Sequence, residues 1–299
     1  MKARLLPLAV LVFLGLGWGS TQSLGKIATE GGHGFLALVF WQSVYAVFFL
    51  LPLVLVRGRP LLLDRRGLGF ATLIALIGTV IPNSTFYLAV AHLPAGIMSI
   101  IISLIPLLSF PIALAMGTDR FSLMRLAGLV CGLIGVGFIV LPRAGLPDPS
   151  MVRWLPLAMI GPLCYALEAN VVAKSGIGRL DSLQAMLLIC LVSAVICLPL
   201  MLVSGQGFVP WPLGRSGQAL LLLSGLQALL YTCYIGLARW AGAVFATQTS
   251  YLVTASGVGW AMLLLGERFS VWVWAALPFL FIGLFLVQPR TRSATVPQA

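Results

Sequence analysis

The sequence predicts an all-α polytopic membrane protein of ten transmembrane helices, arranged as two inverted five-helix repeats. Three observations carry this prediction. The 299-residue chain is 60% hydrophobic and only 8% charged, where a soluble domain averages about 25% charged residues. Its long apolar runs are each near the ~20 residues a helix needs to cross a bilayer. A short corner, "GTDRFS" at 117–122, returns as "GERFS" at 266–270.

The expected spans cover approximately 5–26, 35–56, 68–91, 94–116, 122–141, 152–174, 182–204, 217–238, 241–265 and 270–288. Runs such as "LLLL" (220–223) do not alternate apolar with polar, which argues against a barrel. Lys2 and Arg4 before an apolar stretch resemble a signal peptide. The many later spans, and a later partner for the first, favour a true span. Span one closes as "GLGWGSTQSLGK" (15–26) and span six as "GPLCYALEANVVAK" (161–174), each ending in Lys. The corners follow spans four and nine. Spans five and ten close as "IGVGFIVLPR" (134–143) and "IGLFLVQPR" (282–290). A five-span unit is thus used twice: residues 1–143 and 151–290, with 291–299 a polar tail expected to be disordered and cytoplasmic. Five is odd, so the copies enter the membrane from opposite sides. Inverted repeats accompany alternating-access transport more often than a merely enlarged bundle.

The net charge is +11, but the basic residues are spread between apolar runs rather than gathered on one face, so a nucleic-acid partner is excluded. With the N-terminus placed in the cytoplasm, 13 Lys and Arg flank spans on that side and 5 on the other. Both termini are therefore expected to be cytoplasmic, in a bacterial inner membrane. The five cysteines lie within apolar runs without a C-x-x-C pair and read as core residues. His33 and His92 are the only histidines, and no H-E-x-x-H, P-loop or G-x-S-x-G motif occurs. No catalytic residue, metal site or cofactor is expected. A channel is the rival reading, but no ring of pore loops supports it.

The "GWGSTQSLGK" stretch, the paired corners and the Gly-rich closing spans resemble the drug/metabolite transporter superfamily, in particular its EamA-type ten-helix members. That resemblance covers nearly the whole chain. It implies a basket of two inverted five-helix repeats around a central cavity between helices 1–4 and 6–9. It also implies export of amino acids, aromatic and other neutral ones, from the cytoplasm. The alternative is an exporter or permease of another small metabolite or drug. The expected partners are that substrate and the bilayer, with the chain a monomer or weak homodimer.

Polar side chains inside spans mark cavities or pathways. Thr79, Asn83 and Tyr87 recur at helical spacing in span three, and Gln227, Tyr231 and Tyr234 in its repeat partner, span eight. These stripes are read as facing each other across a substrate site; the competing reading makes the tyrosines belt residues and the amides interhelix glue. Trp41, Gln42 and Tyr45 divide evenly between belt and cavity. Trp18 and its repeat equivalent Tyr165 divide between cavity lining and plain helix packing. Glu168 is the one carboxylate well inside a span. It serves a substrate ammonium or coupling proton, or pairs with Lys174 or Arg179. Pro106 and Pro111 in span four and Gly257 and Gly259 in span nine are read as hinges, or as static kinks. Ser99, Ser103, Gln248, Tyr251 and Ser256 complete the expected route. Gly128, Gly132 and Gly135 in span five are read as scaffold or dimer contacts.

Overall fold

A computed structural model describes residues 2–58, 65–140, 146, 148–175, 180–211, 213–241 and 249–287. Among them the helices are α1 (Lys2–Thr29), α2 (Phe35–Val56), α3 (Arg65–Ala75), α4 (Ile81–Val90), α5 (Ala95–Ile102), α6 (Ile105–Ala115), α7 (Leu123–Val140), α8 (Leu155–Ser175), α9 (Ser182–Val203), α10 (Arg215–Ala241), α11 (Thr249–Leu265) and α12 (Val271–Val287). A π-turn, Leu76–Val80, joins α3 to α4, and a 3₁₀ turn, Pro149–Trp154, precedes α8. No strand occurs among the described residues. Six helical stretches are long and apolar enough to cross a membrane, and three shorter ones are also apolar. Large apolar side chains such as Phe48, Val203, Leu263 and Phe285 stand on the outside of the bundle, where hydrocarbon rather than water makes that exposure favourable. The expected tail at 291–299 lies outside the described residues.

Two spans depart from simple helices, and proline explains both. Pro82 has no N–H to offer the Gly78 carbonyl one turn back. The chain widens there, and the Ile81 N–H reaches back to the Leu76 carbonyl, an i→i+5 bond. One extra residue in the turn rotates Thr79 away from the register of Asn83 and Tyr87. In the fourth span, Pro106 cannot donate to the Ile102 carbonyl. Helix α5 ends at Ile102 and α6 begins at Ile105 with Pro106 in its first turn. Pro111 lies inside α6 without ending it. Gly257 and Gly259 do not interrupt α11.

The two corners turn on the same kind of glycine. Gly117 and Gly266 adopt φ of 67° and 65°, the left-handed conformation in which glycine ends a helix. Thr118 N–H then returns to the Ala113 carbonyl at 2.9 Å and Glu267 N–H to the Ala261 carbonyl at 3.2 Å. An acidic residue follows each turn, Glu267 directly after Gly266 and Asp119 one residue later, after Gly117 and Thr118.

The most extensive helix contacts all join the first half of the chain to the second, in matched sets. Helix α1 packs on α10 and α11, as α8 packs on α4 and α6. Helix α2 packs on α9, and α7 on α12. Exchanging the halves maps these pairings onto themselves, so the duplication read in sequence is also a symmetry of contacts. The α7–α12 seam uses glycine. A Cβ on Gly283 would stand 2.8 Å from the Gly128 carbonyl oxygen and 3.0 Å from the Gly132 nitrogen. Gly128 and Gly135 face α12, and Gly132 faces Leu107. These glycines are therefore spent within the chain, not on a dimer contact. Since both obstacles at Gly283 are backbone, a side chain there cannot be accommodated by rotamer change. Gly283→Leu is expected to cost about 1–3 kcal/mol, read as a lower thermal unfolding midpoint of the purified protein in detergent.

Candidate functional site

Small residues let α1 approach the second half closely. A Cβ on Gly19 would lie 2.8 Å from the Gly257 nitrogen, and one on Gly257 would lie 3.4 Å from the Gly19 carbonyl oxygen and 2.3 Å from Ser99 Oγ. Ser256 Oγ donates to the Gly15 carbonyl at 2.8 Å, and Trp260 Nε1 to that of Leu16 at 2.9 Å. The crossing brings the polar end of α1, Thr21 and Gln22, to the centre of the bundle.

There they border two chambers. The smaller, about 70 Å³, is lined by Gln42, Asn83, Phe86, Tyr87 and Met98 among others. The larger, about 360 Å³, lies toward the end of the bundle where α1 begins and is lined by Trp18, Ser103, Pro106, Tyr234 and Ser250 among others. Thr21, Gln22, Ile102, Tyr165 and Gln227 border both. No described lining residue is charged.

Hydrogen bonds fix the walls. Trp18 Nε1 donates to Gln227 Oε1 at 3.0 Å, and its ring packs edge-on against Tyr234 with centroids 5.4 Å apart. Tyr165 Oη donates to Asn83 Oδ1 at 3.1 Å. Tyr87 Oη donates to Gln42 Oε1 at 2.8 Å. Each bond joins two different spans. Gln22 Oε1 is buried with no hydrogen-bond partner among the described residues.

Many of the sequence-derived candidates meet here: Trp18, Gln42, Asn83, Tyr87, Ser103, Tyr165, Gln227, Tyr234 and Pro106 all line a chamber. Thr79, displaced by the π-turn, and Tyr231 line neither. Ser99 is fully buried and donates to the Ala95 carbonyl. Tyr251 faces Phe281 of α12. Trp41 lines neither chamber; it packs beside Tyr45 and donates from Nε1 to the Phe208 carbonyl at 2.8 Å. Gln248 and Arg179 lie outside the described residues. Thr21 and Gln22 were missed, although they stand at i+3 and i+4 from Trp18, on its face of the helix. Thr249, Ser250 and Thr254 of α11 were missed too.

Glu168 lies one turn beyond Tyr165 on α8, half-buried, and makes no hydrogen bond or ion pair with the described residues. A Cβ on Gly78 would come within 2.6 Å of its carboxylate, so the π-turn seats it. The hydroxyls of Tyr165 and Tyr231 lie in its field. The expected ion pair with Lys174 is not made: Lys174 Nζ donates to the Met116 carbonyl at 3.2 Å.

The profile of the EamA-like transporter family matches the chain twice, over residues 5–141 and 152–288. The chain belongs to the EamA-like transporter family. It is thus a multi-pass membrane transporter of the drug/metabolite type. An uncharacterized transporter of Clostridium kluyveri is 24% identical over 295 residues, covering 92% of this chain and 91% of that one. A solved crystal structure superposes with TM-score 0.61 at 19% identity, over 93% of this chain and 96% of the other; that likeness concerns the fold. Both EamA-like halves contribute to the chambers, α1, α2, α4, α5 and α6 from one and α8, α10 and α11 from the other. Trp18→Phe keeps the ring and removes the donor to Gln227. It is expected to cost about 1 kcal/mol, measured as a small fall in the thermal midpoint without loss of helix content.

Proposed function

We propose that this EamA-like transporter carries small neutral or zwitterionic metabolites, best represented by amino acids with apolar or aromatic side chains, by alternating access between its inverted halves. The observation that carries the reading is the cavity wall. Four carboxamides (Gln22, Gln42, Asn83, Gln227) and the rings of Trp18, Phe86, Tyr87, Tyr165 and Tyr234 surround a space without a charged lining residue among those described. Such a wall offers hydrogen-bond partners and aromatic faces but no cationic grip, which phosphates and other anions require. The overall sequence also resembles bacterial aromatic amino acid exporters of the same superfamily. The flanking basic residues favour cytoplasmic termini and hence export from the inner membrane.

Glu168 deepens this reading. A carboxylate inside a span without an ion pair is costly unless it meets a cation in use. It stands one turn from the chambers, where a substrate ammonium enters or leaves.

Purified protein in liposomes is expected to exchange radiolabelled aromatic and aliphatic amino acids in a saturable counterflow; ohmic currents in its place would make the protein a channel. Alanine at Asn83, Tyr231 or Tyr234 is expected to lower that exchange, and normal rates in all three variants would remove the site from these stripes. Glu168→Gln is expected to lower exchange of amino acids about tenfold or more, the size of a lost charge-assisted hydrogen bond. Unchanged rates would assign Glu168 a structural role.

A further inference from the structure

The two corners share a left-handed glycine but have different partners. Glu267, in the second corner, accepts from the Ala95 N–H at 2.7 Å and the Gly96 N–H at 3.1 Å. These are the first amides of α5, in the other half of the chain. Phe269, two residues on, packs against Gly96, where any Cβ would collide with its ring. From α1, Lys26 Nζ donates to the carbonyls of Leu93 at 2.6 Å and Val90 at 3.3 Å. The α4–α5 connection is therefore held at both ends. A cation sits on the carbonyl end of α4 and a carboxylate on the amide end of α5, each matched to the helix dipole it meets. In the first corner, Asp119 pairs with Arg125 six residues away and accepts from the Arg120 N–H at 2.8 Å. Phe121 is 61% exposed. Lys174, the repeat equivalent of Lys26, donates to the Met116 carbonyl of its neighbouring span.

We infer that Glu267, Lys26 and Phe269 form a latch that closes the cavity at this end of the bundle, and that its release opens the cavity to this face. The latch stands directly above the site. Lys26 is one turn beyond Gln22 on α1, and Met98, two residues past Gly96 on α5, lines the smaller chamber. The larger chamber lies on the far side of that wall. The dipole-matched bonds are made between backbone groups and two side chains from other spans, so releasing them moves α5 away from α1 and α11 as a unit. Asp119, bonded within its own corner, places no restraint across the halves.

The inference rests on the transport reading, and the test separates the two. In a background with the five native cysteines replaced by alanine, Met98→Cys reports from within the smaller chamber. Impermeant maleimide is applied in turn to each face of oriented vesicles, using monodisperse protein. The parent is expected to label poorly from the Lys26 face. Glu267→Ala is expected to raise the ratio of labelling from that face to labelling from the other severalfold. Lys26→Gln, which keeps the carboxylate cap, is expected to shift it in the same direction. Asp119→Asn is expected to leave the ratio unchanged. A ratio unmoved by Glu267→Ala and Lys26→Gln overturns the latch, even with counterflow intact. A shifted ratio without counterflow of any amino acid keeps the latch and removes the substrate reading.

Discussion

The constraint on which this structure depends is that each half covers the other. In a bilayer, helices gain little from burying apolar surface against one another, because lipid is equally apolar. Close backbone approach and polar contacts between helices supply the association. Here backbones come close where α1 meets α11 at Gly19 and Gly257, and where α7 meets α12 at Gly128 and Gly283. Both cross between the halves. Neither half can keep its packing alone, and a cavity at the interface inherits walls from both.

The same logic makes helix irregularity useful. Backbone groups freed by a proline inside a membrane need another partner or a wet surface. Pro82 leads to the π-turn, whose Gly78 makes room for the Glu168 carboxylate. Pro106 leads to the break between α5 and α6, beside the larger chamber. Both irregularities occur in the first half and sit at the cavity. The equivalent α10 and α11 are regular where they are described. The two halves are alike in pairing yet unlike in conformation. Alternation between two faces needs such a difference, since two identical halves would leave both faces in the same state.

Much of this was legible in sequence because the signals were periodic or repeated. Apolar runs gave the helices, the twin corners gave the duplication, and the depth of Trp18, Asn83, Tyr165 and Gln227 gave a good part of the cavity wall. What was not legible depended on local backbone change. A stripe assumes an unbroken helix, and the π-turn moved Thr79 off it. Gly257 and Gly259 suggested a soft helix, whereas Gly257 lies at a tight crossing whose partner is known only in three dimensions. The ion pair expected between Glu168 and Lys174 assumed that charges six residues apart on one helix meet. Lys174 instead reaches a carbonyl at the end of the adjacent span. Thr21 and Gln22 were legible too, by their helical spacing from Trp18, once the Trp18 face is taken as the cavity face.

Apart from Glu168, the charges described here stand near the ends of the bundle, and the reason lies in the helix ends themselves. A lysine or carboxylate at a helix end finds backbone carbonyls or amides with no partner inside their own helix. Lys26 and Glu267 use such groups from another span, which turns a local capping bond into a bond between spans. Asp119 is also a carboxylate shortly after a left-handed glycine, two residues past Gly117 where Glu267 is one past Gly266, but it meets Arg125 instead. The choice between a neighbour in the same corner and a helix end across the bundle therefore turns on side-chain length and position as well as on charge. Glu267 follows its glycine directly and carries one methylene more than Asp119, and it is the one that reaches the α5 amides.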